Sequence, residues 1–140
     1  MLKNNIIELL KDENSENPGN NGLSGLVEIL FKAQTDTHIT HLLQRKKLLC
    51  EHNAMVDFYT EIEDLIDSFA ETAMAHDLIS NLSVPASSEI MDTVKYFENL
   101  YMKVETYRSQ VNSYPFLISK IDEIQELISQ VLYRLKFIQS

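Results

Sequence analysis

Tryptophan is absent from the 140 residues, cysteine occurs once, and glycine and proline occur three times each. The lone Cys50 cannot close an internal disulfide, which agrees with a reducing compartment. Without paired thiols there is no cysteine knuckle for zinc, and one cysteine among four scattered histidines does not spell a thiol protease. Three glycines supply no Gly-rich phosphate loop, and no Ser-His-Asp constellation is evident. Basic residues are scarce too: Lys plus Arg number 12 against 21 Asp plus Glu, a formal charge of -9. That balance repels phosphate backbones, so direct DNA binding is not expected. No apolar run approaches the roughly 18 to 20 residues that cross a bilayer. The opening Met1-Leu-Lys-Asn-Asn-Ile-Ile is too short in apolar residues for a signal peptide. A soluble, cytoplasmic protein without a membrane partner is expected.

The length suits one compact domain. Pro18-Gly19-Asn20-Asn21-Gly22 closes an acidic opening segment, Pro85 sits in a Ser-rich stretch, and Pro115 follows Asn112-Ser113-Tyr114. Residues 1–22 are expected to form an N-terminal segment, with a short helix over Asn5 to Lys11 and a flexible linker from Asp12 to Gly22. Residues 23–140 form the domain. From Leu23 onward apolar residues recur at three and four, which predicts helices at about 23–44, 48–75, 88–111 and 116–138 and an all-α, four-helix bundle. The first stripe runs Leu23, Val27, Leu30, Gln34, His38, His41, and the second Leu48, His52, Met55, Tyr59, Ile62, Ile66. Imidazoles thus occupy positions that packing would fill with Leu. Met55, Met74, Met91 and Met102 are expected to fill gaps in the core. A turn is expected near Arg45-Lys46-Lys47, where the basic run complements a helix C-terminus. The link from His76 to Ser88, at roughly 3.3 Å per residue, spans about 43 Å. It is long enough to return along the bundle and start the third helix parallel to the second.

Chemistry concentrates in one region. His38-Ile-Thr-His41 is followed by Glu51-His52 and then by Glu63, Asp64, Asp67 and Glu71. Imidazole nitrogen with carboxylate oxygen suits Fe(II), and carboxylates neutralise the charge of Fe(III). Residues four apart share a helix face, so Asp67 and Glu71 can grip one ion, with Glu63 a turn earlier. His52 lies fifteen residues before Asp67, about 22 Å along a helix, and no single ion can touch both. A bland reading stands beside this one: core-stripe histidines are structural, and Asp64, Asp67 and Glu71 are a solvated face.

The stretch His41-Leu-Leu-Gln-Arg-Lys-Lys-Leu-Leu-Cys-Glu-His52, with Asp67-Ser-Phe-Ala-Glu71, resembles the ferroxidase signature of the Dps branch of the ferritin superfamily. Together with Leu132-Tyr-Arg-Leu-Lys-Phe137, it is similar to the small ferritin-like proteins of tailed bacteriophages. The resemblance covers residues 24–138. The chain departs from the Dps pattern in having one residue fewer between the two histidines, and in lacking a Trp after the first and a Gly-Pro turn. The resemblance implies a ferritin-like bundle with a long crossover between helices two and three. It also implies a homo-oligomer, dimer or higher, in which His41 and His52 of one subunit, with His38, face Asp67, Glu71 and Glu63 of another. The metal would be iron, or zinc in vitro, with Fe(II) oxidation by oxygen or peroxide, and Tyr59 beside the ligands as an electron donor. The alternative is a structural or interaction protein that keeps the bundle without metal chemistry, in the host cytoplasm or a virion. Off-stripe Phe58, Leu65, Leu100 and Leu127 are expected at contacts between subunits.

Overall fold

The computed structural model describes residues 21–45 and 48–138. The short helix and most of the linker expected at the N-terminus, and Lys46 and Lys47 of the expected turn, lie outside the described residues. Among the described residues there are four α-helices and no strand: α1 (Asn21–Leu43), α2 (Leu49–Ala75), α3 (Thr93–Glu105) and α4 (Pro115–Phe137), with a 3-10 turn at Arg108–Val111. Helix α1 begins two residues inside the expected linker. None of the helices is long and apolar enough to cross a membrane.

Side-chain bonds fix the directions. Cys50 and Asp57 near the start of α2 meet Arg134 near the end of α4, while Ser68 further along α2 meets Lys120 near the start of α4. Helices α2 and α4 are therefore antiparallel. Arg108 after α3 reaches Asp122, and Glu98 pairs with Lys136, which sets α3 antiparallel to α4. Gly25 near the start of α1 lies against Tyr107 after α3, so closely that a Cβ there would stand 2.6 Å from the phenol oxygen. Helix α3 thus runs parallel to α2, as the long link predicts.

Each helix buries one face because its apolar residues repeat at three and four. The core joins Leu26, Val27 and Leu30 of α1 to Phe58, Ile62, Ile66 and Phe69 of α2, Phe97 and Val104 of α3, and Ile121, Ile124 and Ile128 of α4. Helix α2 ends where Asp77 adopts a φ of 58°, its amide bonding to Met74 O and that of Leu78 to Ala73 O. This is the αL ending that satisfies the last carbonyls of a helix.

Four expectations are corrected. The core face of α1 continues through Ala33, Thr37 and Thr40, while His38 is exposed and His41 half-buried on the flank toward α2. Phe58, Leu100 and Leu127 are buried inside the chain's own core and Leu65 packs against it, so they do not form an exposed surface for other subunits. Met74, Met91 and Met102 are exposed. Finally, the third helix starts at Thr93 rather than 88 and ends at Glu105. The Ser88 amide donates to Asp36 Oδ1 at 2.9 Å and the Ile90 amide to Thr40 Oγ1 at 2.8 Å, which lays residues 88–91 along α1. Asp92 then caps α3 by accepting from the Lys95 amide.

The crossover is a strap held by one stripe of α1. Ser24 Oγ donates to Asn81 O, Glu28 accepts from the Ser83 amide, and Asp36 and Thr40 take Ser88 and Ile90. Spaced at multiples of four, these side chains follow one ridge that winds around α1. They satisfy backbone groups that have no ladder partner.

Candidate functional site

The last two turns of α1 and the first turn of α2 bring three histidines together. The rings of His41 and His52 lie 4.1 Å apart between centroids, and those of His38 and His41 6.3 Å apart. Tyr59, two turns along α2, stacks on His38 at 4.2 Å and lies 5.6 Å from His41. Gln34 fixes this side by donating to Tyr59 O at 3.1 Å. The arrangement follows from sequence spacing: 38 and 41 sit one turn apart on α1, and 52 and 59 two turns apart on α2, so two flanks meet along the α1–α2 seam.

The cluster is polar but unsatisfied. Among the described residues, His41 Nδ1 is buried without a hydrogen-bond partner, and so are both amide atoms of Gln44 at the helix end. Burial holds the His41 imidazolium form down, and the neighbouring His52 and then His38 add to that effect. A neutral imidazole keeps a lone pair available, which is what a metal ion requires. Buried polar groups in folded proteins almost always find partners. An orphaned imidazole beside two others therefore marks a place where packing yielded to something else.

The carboxylates of the expected set are elsewhere. Glu63, Asp67 and Glu71 are exposed on α2, and no ion pair engages them among the described residues. His52 and Asp67 are separated by fifteen residues of one continuous helix, about 22 Å of rise. Accordingly, no group of three or more His, Cys, Asp or Glu is placed to hold a metal ion within the described residues of one chain. Imidazole and carboxylate donors are of the kinds that suit iron or zinc, but within the described residues of one chain they do not converge. Cys50 lies apart, its thiol against Arg134 O at 3.5 Å.

A second polar centre has no counterpart in the expected ligand set. Asp36, 1% exposed, accepts from Lys32 Nζ at 2.7 Å, the Tyr96 hydroxyl at 2.8 Å and the Ser88 amide at 2.9 Å. Burial pushes its pKa up, but the bonds from Lys32, Ser88 and Tyr96 outweigh burial and hold it below the ordinary carboxylate value. Burial and the bond to Asp36 raise the Tyr96 phenol in turn. A cleft of about 270 Å³ opens beside it, lined by Lys32, Lys95 and Asn99 among others. With both carboxylate oxygens taken by the protein, Asp36 is a clasp for the strap. The four-residue spacing of Lys32, Asp36 and Thr40 is its only trace in the sequence.

Residues 43–135, roughly two-thirds of the chain, match a family of unknown function (DUF5856). No curated protein and no solved structure matches the chain.

Proposed function

The chain belongs to that family of unknown function, which brings no activity with it, and we propose that it is a ferritin-like, homo-oligomeric bundle that binds iron at a site shared between two copies. His41 and His52 of one copy, with His38 beside them, supply imidazoles; Asp67 and Glu71 of the other, with Glu63, supply carboxylates. The observation that carries the reading is the convergence of three histidines around an imidazole nitrogen that has no partner among the described residues. Support also comes from helix order: a long crossover with α3 parallel to α2 is the connection of ferritin-like bundles. Burial disfavours the charged form of His41 and leaves its lone pair ready to donate, and no ion pair engages the exposed carboxylates among the described residues. Bound iron would supply one-electron chemistry, the oxidation of Fe(II) by oxygen or peroxide, for storage or oxidative protection. Tyr59, which stacks on His38, would be the electron donor of such a site. Direct DNA protection is not part of the reading, because the chain is acidic.

An anaerobic Fe(II) titration of the purified protein, with Zn²⁺ in parallel, tests it. Saturable binding by the parent is expected, with His52→Ala and Asp67→Asn each cutting affinity by at least about tenfold at unchanged helix content. No binding by the parent, or equal binding by all three, overturns the reading. The second reading is a structural or interaction protein without metal chemistry. It is favoured by the exposed leucines at the α1–α2 end.

A further inference from the structure

Between two buried anchors the strap is held by very little. Ile79 belongs to the core and Ile90 is buried with its amide on Thr40, but residues 80–86 are exposed, Ser87 is half-buried, and Ser88 and Glu89 are exposed. Leu82 and Val84 already expose 36% and 52% of their surface, so lifting them from α1 uncovers little further apolar area. Among the described residues no backbone-to-backbone hydrogen bond reaches residues 81–91. Side chains of α1 hold the segment instead, and every residue they fix costs conformational entropy that so few bonds barely offset.

The two halves are fastened unequally. In the second half, Asp36 and Thr40, each 1% exposed, take the Ser88 and Ile90 amides, while Lys32 and Tyr96 bond Asp36 as well. In the first half, the Ser83 amide donates to Glu28 Oε2 at 2.7 Å in an exposed bond, and Ser24 Oγ donates to Asn81 O at 3.1 Å. Water competes for an exposed bond far more than for a buried one. Pro85 stands between the halves and has no amide to add. Beneath the weaker half lies a polar junction between α1 and the chain after α3. Ser24 is 5% exposed there, Gly25 lies against the Tyr107 hydroxyl, and burial and then the Glu28 charge raise the Tyr107 phenol.

We propose that residues 80–87 form a lid that lifts from α1 while Ser88 to Asp92 stay latched as its hinge, so that Ser24 and Glu28 are uncovered with the bundle still folded. Glu28 is the release point and the Asp36 clasp is the latch. One crossover thus contains two units of different stability, and only the first opens on its own. The device needs no metal and does not depend on the histidine cluster.

Native-state amide exchange of the full-length protein, followed by NMR with a chelator present, tests this. The Ser83 amide should be protected by less than about a hundredfold, Ser88 and Ile90 by at least about a hundredfold more than Ser83, and core amides such as Ile62 and Ile124 by about 10⁴ or more. Glu28→Ala should speed Ser83 by about tenfold and leave Ser88 and Ile90 within about twofold. Iodoacetamide labelling of Ser24→Cys, in a Cys50→Ser background, reads what the lid uncovers: adding Glu28→Ala should raise its rate by about tenfold at unchanged circular dichroism. Ser83 and Ser88 exchanging at one rate and responding together to Glu28→Ala would mean that the strap moves as one piece, which overturns the proposal. Ser83 protected as well as the core would mean that the strap opens only on global unfolding, and overturns it too. So does a labelling rate that Glu28→Ala does not change.

Discussion

Helix α1 carries buried polar groups on two flanks, and the protein treats them in opposite ways. Toward the strap, Asp36 takes three donors, and Thr40 both donates to Asp36 O and accepts from Ile90. Toward α2, His41 Nδ1 and the amide of Gln44 find no partner among the described residues. The first flank is what folding produces when polar groups replace apolar packing: every group is matched, and the crossover is fixed. The second costs stability, and such local departures from consistency are where function is held.

The comparison can be broken by mutation. Its largest expected effect is at the clasp: Asp36→Ala strands Lys32, the Tyr96 hydroxyl and the Ser88 amide, and should lower unfolding stability by about 3 kcal/mol, at the lower end for a broken buried ion pair because Lys32 is partly exposed. Urea denaturation measures this, and a loss under about 1 kcal/mol would deny the clasp its role. Next comes Thr40→Val, which orphans the Ile90 amide at nearly constant volume. A loss of about 1 to 2 kcal/mol is expected, together with faster amide exchange over residues 79–92.

Smaller, and opposite in sign, is the effect on the histidine flank. Without metal, His41→Leu replaces an orphaned polar ring by an apolar side chain of similar size and should leave stability equal or raise it by up to about 1 kcal/mol. A thermal melt of the chelated protein reads it. A loss comparable to that at Thr40 would mean the imidazole is structural, and the bland reading of the cluster would stand.

The smallest effect is a difference in pH window. His41 has a depressed pKa in the fold, so the unfolded chain binds more protons as pH falls below about 6.5. Its neutral form therefore contributes stability above that pH, and the contribution is lost on acidification. Asp36 is also depressed, but its contribution is retained above about 3.9 and lost only below. Stability measured against pH should thus fall in two steps, and His41→Leu should remove the upper one alone.

The two flanks also differ in how far the sequence discloses them. The histidines lie within fifteen residues on two helices that are close neighbours in the sequence, and local periodicity brings them together. The Asp36 partners Ser88 and Tyr96 lie 52 and 60 residues away, where no periodicity links them. The same long-range bonds explain the misplaced start of α3: Ile90 extends the apolar pattern backward, but its amide is committed to Thr40. Helices α1, α2 and α4 are legible to within two residues because nothing competes with their amphipathic faces. Phe58, Leu100 and Leu127 were outside single-stripe reading for a simpler reason: a bundle helix buries an arc wider than one stripe. Nothing in one sequence states which surfaces of two copies meet.

Sharing of the site between copies is tested most directly by mixing two disabled variants. His52→Ala lacks an imidazole and Asp67→Asn lacks a carboxylate; each should bind Fe(II) poorly alone. In a mixed dimer of two-fold symmetry one of the two sites combines both lesions and the other has neither, so random exchange should restore about a quarter of the parent's capacity. Fe(II) binding by the co-refolded mixture, well above either variant, is the predicted result. A mixture that binds no more than its components would contradict a site built from two copies of the chain.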